Sequence, residues 1–221
     1  MKDIQRTIRR LLSIPALVLL VCVTGLPGST SAMSVKAVSI EEILANSALI
    51  IEGQVVASES RPVEGTRLIQ TCVWIEIAEI IKGRYPAGSL ELCFLGGTLD
   101  DVTMRVAGMR YPEIGETGIY FVESLDRLQV HPLYGGPQGH FLVVHDPATD
   151  EERVLTSDEI PVVGVISSSD WVTPGLSTGT PGLSTGAARG VLTAEPSGIA
   201  NAMTKDDFKQ SLRAILDKLP P

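Results

Sequence analysis

The chain has 221 residues, 44% of them hydrophobic and 20% charged, with 18 Lys and Arg against 26 Asp and Glu for a formal charge of −8. That is room for one ordinary domain with extras, and the apolar share supports a buried core, which excludes wholesale disorder. The acidic balance excludes the clustered cationic footprint on which nucleic-acid binding depends.

Residues 1–32 read as a secretory signal peptide. Lys2, Arg6, Arg9 and Arg10 precede an apolar run over residues 11–23, and Pro27, Gly28, Thr30, Ser31 and Ala32 follow it. Cleavage is expected between Ala32 and Met33. The run is short for a bilayer span, and Cys22 follows Val21 rather than the small residue that lipoprotein processing needs. Removal takes four basic groups and one acid, Asp3, leaving 14 basic and 25 acidic groups and a mature charge of −11. The expectation is an exported protein, periplasmic or secreted, without stable membrane insertion of the mature chain.

The mature chain opens with a short helix. Ser39 and Glu42 form an S-x-x-E capping box, with Ile40, Ile43 and Leu44 on one side. Residues 48–58 read as a strand in which Gly53 marks a bulge or bend. Residues 71–81 alternate: Val73, Ile75 and Ile77 point one way, Cys72, Trp74 and Glu76 the other. A turn over residues 82–89 leads to a returning strand over 90–95, a Gly-rich loop over 96–101 and a short strand over 102–107. Further strands are expected over 118–124, 128–134 and 139–146, with a last strand-like stretch at 153–155. Six to eight short strands with one or two helices predict a mainly β fold, a barrel or sandwich.

Once Cys22 is lost with the leader, Cys72 and Cys93 are the remaining cysteines, in a compartment that permits disulfides. A tight turn near residues 83–88 sets Cys72 opposite Leu99, six residues from Cys93, a separation of roughly 20 Å that no disulfide spans. A wider loop, in which paired positions sum to 165, sets the two cysteines opposite each other. The tight turn, and with it two separate thiols, is the expectation.

Residues 167–203 are rich in Ser, Thr, Gly and Pro and contain the tandem repeat TPGLSTG at 173–179 and 180–186. This reads as a linker between a β-barrel domain over 33–166 and a C-terminal amphipathic helix over 204–219. Thr204 is its N-cap, Asp206 and Asp207 lie in its first turn, and Phe208, Leu212, Ile215 and Leu216 form its apolar stripe. The stripe folds back on the barrel or docks on a partner, the first being the expectation.

Few motifs carry chemistry. The repeat spells G-x-S-x-G around Ser177 and Ser184, yet no strand delivers either serine and no helix follows it, so no nucleophile elbow is expected. His140 and His145 are an odd number of residues apart on one strand and cannot share a metal; His131, His140 and His145 are all read as strand-surface or loop residues. The acids at Asp100/Asp101, Asp150/Glu151/Glu152 and Asp158/Glu159 read as solvated turns. Gly96-Gly97 lacks the helix and Lys of a phosphate loop, and Trp74 and Trp171 are too far apart in sequence to form a stacking platform. No catalytic residue, metal or cofactor is expected.

Together the strings at residues 74–88, 95–124 and 135–147 resemble a group of uncharacterised bacterial exported proteins, and more distantly the OB-like barrel of netrin-type modules and tissue inhibitors of metalloproteinases. The resemblance implies a small closed barrel with a terminal helix. The inhibitors' device, an N-terminal Cys placed on the protease zinc, has no counterpart near Met33, and their several disulfides are not available here.

The loop over 96–111 is the candidate contact surface, because it mixes Gly96, Gly97, Asp100, Asp101, Arg105 and Arg110 with the adaptable side chains of Met104 and Met109. These readings point to a non-enzymatic exported module that binds a protein or peptide. The alternatives are an inhibitor or regulator of an exported protease and a hydrolase with a site assembled across loops.

Overall fold

The structure is a computed structural model that describes residues 37–167, 187–194 and 198–220. The signal-peptide segment, the Ala32–Met33 cleavage position, the tandem repeat with Ser177 and Ser184, and Trp171 lie outside the described residues. The described chain is mainly β and antiparallel.

The short helix α1 spans Ile40–Asn46, with Ser39 Oγ accepting the Glu42 N–H at 3.1 Å as its N-cap. Its apolar side, Ile40, Ile43 and Leu44, is fully buried. The strands are β1 (Leu49–Pro62), β2 (Ile69–Lys82), β3 (Ser89–Leu95), β4 (Gly97–Leu99), β5 (Val102–Met104), β6 (Thr117–Val122), β7 (His140–Asp146), β8 (Glu151–Thr156), β9 (Val162–Val165) and β10 (Val191–Thr193). Helix α2, Lys205–Leu216, starts at Thr204, whose Oγ1 accepts the Asp207 N–H at 3.1 Å.

Six strands form one sheet in the order β3-β2-β1-β6-β7-β8, while β4-β5 and β9-β10 are two-stranded ladders. Strand β1 pairs with β2 along its length and with β6 through its first half, and its register shifts at three places, one beside Gly53. A Cβ at Gly53 would collide with the Glu76 carbonyl, so the bulge and the glycine belong together.

No closed barrel is found among the described residues, against the closed OB-like barrel expected. The outer edge of β8 is taken by the loops that follow it, with the Val154 N–H donating to Met203 O and the Thr156 N–H to Ile160 O. At the other end a loop meets the β3 backbone where the Leu95 N–H donates to Val130 O, and the Tyr111 hydroxyl donates to Leu95 O. Strands β3 and β8 therefore do not meet.

Both faces of the sheet are covered. On one, Ile50, Ile119, Phe121, Phe141, Val143 and Val154 pack against α1, α2 and the β9-β10 ladder. On the other, Leu49, Ile51, Val73, Ile75 and Tyr120 pack with Leu90, Leu92 and Phe94 of β3 and with Leu133. The helix stripe read from the sequence thus has its partner within the chain: Phe208 and Leu212 are fully buried on the first face. Buried Glu52 of β1 faces the same helix, with Lys209 Nζ 2.7 Å from its Oε2 and Lys205 Nζ 2.8 Å from its Oε1. Burial acts to raise the Glu52 carboxyl, but the two ammonium groups outweigh it and hold the pKa below its ordinary value.

Three regions depart from the sequence reading. Residues 128–134 form no strand; Pro132 lacks an N–H, and the segment is held by scattered bonds such as the Glu123 N–H to Pro132 O. The 96–101 loop contains β4, which pairs with β5 as a hairpin. Residues 187–194 and 198–203, grouped with the linker by composition, are packed: Ala188, Val191 and Ala202 are buried, and Arg189 exchanges backbone bonds with Val38 and Ile40. Strands β9 and β10 pair antiparallel, with Val165 opposite Val191.

Candidate functional site: a groove beside the β4-β5 hairpin

Among the described residues no helix covers the second face of the sheet, and loops roof it. Gly96 and Gly97 lead the chain off β3 with φ of 100° and 132°, backbone that L side chains rarely adopt. A Cβ on Gly97 would strike Thr71 Oγ1 and Ser60 Oγ, and one on Gly96 would strike the Tyr111 hydroxyl. Thr71 Oγ1 also donates to Gly96 O at 2.9 Å, and the Tyr111 hydroxyl to Leu95 O at 3.2 Å. The two glycines thereby clamp the hairpin onto β1 and β2.

Beside the hairpin lies a groove of about 350 Å³ lined by Gly97, Thr98, Thr103, Met104, Arg105, Val106, Met109 and Tyr111. Met104, Val106, Met109 and Tyr111 are half-buried, and Arg105 is exposed. Thr98 Oγ1 and Thr103 Oγ1 lie 3.0 Å apart across the hairpin. The arrangement offers an apolar trough of flexible thioethers, two hydroxyls and one cation, which suits one or two side chains of a ligand.

The eight residues singled out by sequence divide. Gly97, Met104, Arg105 and Met109 line the groove, and Gly96 supports its wall. Asp100 and Asp101 sit exposed at the hairpin turn, Asp100 with φ of 50°. Arg110 turns away: its Nη2 lies 2.7 Å from Glu116 Oε2. Sequence reasoning missed Thr98, Thr103, Val106 and Tyr111, although the Thr-x4-Thr spacing about Asp100-Asp101 is compatible with a hairpin ladder.

Arg110 belongs to a buried cluster behind the groove. His140, read from sequence as a surface or loop residue, is only 3% exposed, stacked on Tyr120 with ring centroids 4.8 Å apart. It is buried because it lies opposite Tyr120 in the β6-β7 ladder, on the roofed face. Its Nε2 is 3.0 Å from Glu116 Oε1 but off the hydrogen-bond line. Burial pushes the His140 pKa down despite Glu116. Burial acts to raise the Glu116 carboxyl, but His140 and Arg110 hold it below its ordinary value. At neutral pH the cluster is thus an Arg–carboxylate pair beside a neutral imidazole. It fastens the 110–116 segment to the sheet.

His131 is likewise mostly enclosed. Its Nδ1 accepts the Leu133 N–H at 3.2 Å, and burial pushes its pKa down to about 4. His145 is exposed near Asp150. Of the paired acids, Glu151 meets Arg153 and Glu152 meets Lys205, while Asp158 and Glu159 sit in an exposed turn.

Cys72 and Cys93 are directly opposed and bonded, with Cα atoms 4.0 Å apart, against the expectation of separate thiols. The tight-turn register fails because the connection is the wider one: Glu76 pairs with Ser89, so paired positions sum to 165 and residues 77–88 form the loop end of the hairpin. Cys72, Cys93 and Glu91 are close enough to share a metal ion, but the two sulfurs are bonded to each other.

Among the described residues no helix is long and apolar enough to cross a membrane. No protein family, no curated protein and no solved structure matches the chain.

Proposed function

We propose that the protein is an exported, non-enzymatic binding module whose β4-β5 groove takes an extended peptide segment of a partner protein, one that sets an acidic side chain beside an apolar one. The observation that carries this reading is the groove's lining. Met104, Val106, Met109 and Tyr111 accommodate an apolar side chain, and Arg105, the one charged residue of the lining, meets a carboxylate. Hydroxyls, thioethers and one cation are the composition of a recognition surface rather than of a nucleophile with its base. Export is supported by the leader-like N-terminus and by a disulfide, a bond that persists in oxidising compartments. The OB-like relation is part of the same proposal: β1 serves both the β2-β3 and the β6-β7 halves of the sheet.

The test is selection from a displayed peptide library on the full chain, run in parallel on Met104→Asp and Arg105→Glu. The reading predicts an acidic-apolar consensus that Met104→Asp abolishes and that Arg105→Glu converts to a basic one. Selection of the same peptides by all three proteins would contradict it.

A second reading, inhibition of an exported protease, is favoured by the hairpin itself, which the two glycines clamp and which presents Val102 at 62% exposure. Titration of proteases from the exported fraction distinguishes the two: stoichiometric inhibition that is lost in Val102→Asp supports the inhibitor.

A further inference from the structure

The disulfide has a setting that a purely structural staple does not require. It joins β2 to β3, and β3 is the end strand of the sheet. Cys72 is fully buried, whereas Cys93 is partly exposed. Both side chains project from the face opposite Val73 and Ile75, away from the second core. Arg61 reaches over from β1. Its Nη1 lies 2.8 Å from Glu91 Oε1, and its Nη2 lies 3.4 Å from Cys93 Sγ; a Glu91 carboxylate oxygen is itself within 4.8 Å of both sulfurs and opposes a thiolate there, so Arg61 acts as the cation in direct contact with Cys93. A cation held against one sulfur of a disulfide is the arrangement that stabilises a thiolate at that sulfur.

We propose that the Cys72–Cys93 bridge is a thiol–disulfide exchange site, attacked at Cys93 and poised by Arg61, for a partner that carries thiols. In-line attack on Cys93 comes from the side away from Cys72, which is the outer edge of β3, the end strand of the sheet. A partner thiolate bonds to Cys93 Sγ, and the Cys72–Cys93 bond breaks with its electron pair passing to Cys72 Sγ, which takes a proton from solvent. A second thiolate then bonds to the partner's sulfur in the mixed disulfide and displaces Cys93 as a thiolate, next to the Arg61 guanidinium. Two partner thiols become one disulfide while the Cys72–Cys93 bridge becomes a Cys72 thiol and a Cys93 thiolate, so two electrons and one proton pass to the protein and the second proton goes to solvent. The change stays local, because β3 remains paired to β2 and Leu90, Leu92 and Phe94 remain buried. The two sulfurs therefore stay opposite each other, ready to reclose.

The experiment equilibrates the full chain with glutathione redox buffers under native conditions, traps thiols by acid and alkylation, and maps the modified cysteines by mass spectrometry. Circular dichroism runs alongside, and Arg61→Gln and Arg61→Lys are carried through the same series. The expected result is exchange in the folded protein, with the glutathione adduct on Cys93. Measured at alkaline pH, where Cys93 of both proteins is ionised, Arg61→Gln shifts the equilibrium about tenfold toward the disulfide, one unit of thiol pKa, and Arg61→Lys recovers most of that shift. Reduction that occurs only where dichroism shows unfolding, an adduct on Cys72, or an Arg61→Gln equilibrium equal to wild type would each overturn the proposal. Independently of any Arg61 variant, the alkylation rate of reduced Cys93 against pH is expected to titrate below the ordinary thiol value of about 8.5; titration at or above that value overturns it as well.

Discussion

Replacing His131 by Gln should flatten part of the acid sensitivity of the fold. In the native protein His131 Nδ1 accepts the Leu133 N–H, and its ring lies edge-on to buried Phe94 with centroids 5.1 Å apart. Burial, with a smaller contribution from His140, pushes its pKa from 6.5 down to about 4. An unfolded histidine binds its proton near 6.5, so below that pH the unfolded chain holds a proton that the folded chain refuses. The contribution is complete above 6.5 and is lost as the pH falls. With these two values the loss relative to pH 7 is about 2 kcal/mol at pH 5 and about 3 kcal/mol below pH 4. His140 and Glu116, whose pKa values are also lowered, add losses of the same sign. Gln at 131 retains an acceptor for the Leu133 N–H but does not titrate. Urea unfolding followed by circular dichroism at pH 7 and pH 5 should show wild type losing about 2 kcal/mol more than His131→Gln between the two conditions. Equal losses in the two proteins would refute the enclosure of His131 and the packing of the 128–134 segment over the second core.

Further consequences follow from the clamp, the helix anchor and the bridge. Gly97→Ala places a Cβ against Thr71 and Ser60 at a φ of 132° and should cost about 2 kcal/mol in chemical denaturation, the expected scale for forced backbone strain. Lys209→Met leaves Glu52 facing α2 with Lys205 alone and should cost about 3 kcal/mol, of which the double variant with Glu52→Gln recovers most. Burial acts to lower the Lys209 ammonium, but Glu52 and Glu79 push its pKa up to about 12 from 10.5. Its stabilisation is therefore complete below pH 10.5 and is lost as the pH rises toward 12, visible as an alkaline loss of stability that Lys209→Met lacks. Replacing both Cys72 and Cys93 by Ala removes a bridge across 21 positions of sequence and should lower stability by roughly 3 kcal/mol through the freed unfolded chain.

The elements most legible in the sequence are those whose signals are local. Ser39 and Thr204 cap their helices as read, and the alternation of Val73 and Ile75 against Cys72 and Trp74 marks the face that becomes the second core. What escaped depends on distant partners. Cys72 meets Cys93 because the β2-β3 connection is wide, with Glu76 opposite Ser89, a register that no residue near the turn announces. Residues 187–194 read as linker by composition, yet Ala188 and Val191 complete a core built chiefly by residues far away in sequence. At the site, the Met and Arg content of residues 96–111 pointed to the groove. The division of labour between Arg105 on the groove and Arg110 on Glu116 follows only from where β6 brings Glu116.

The binding reading is tested most directly by amide hydrogen exchange of the full chain with and without its selected peptide. The account predicts slowed exchange over residues 97–111, centred on β4 and β5, with α2 and β8 unchanged. Protection confined to the β3 edge or to α2, with residues 97–111 exchanging as in the free protein, would contradict it.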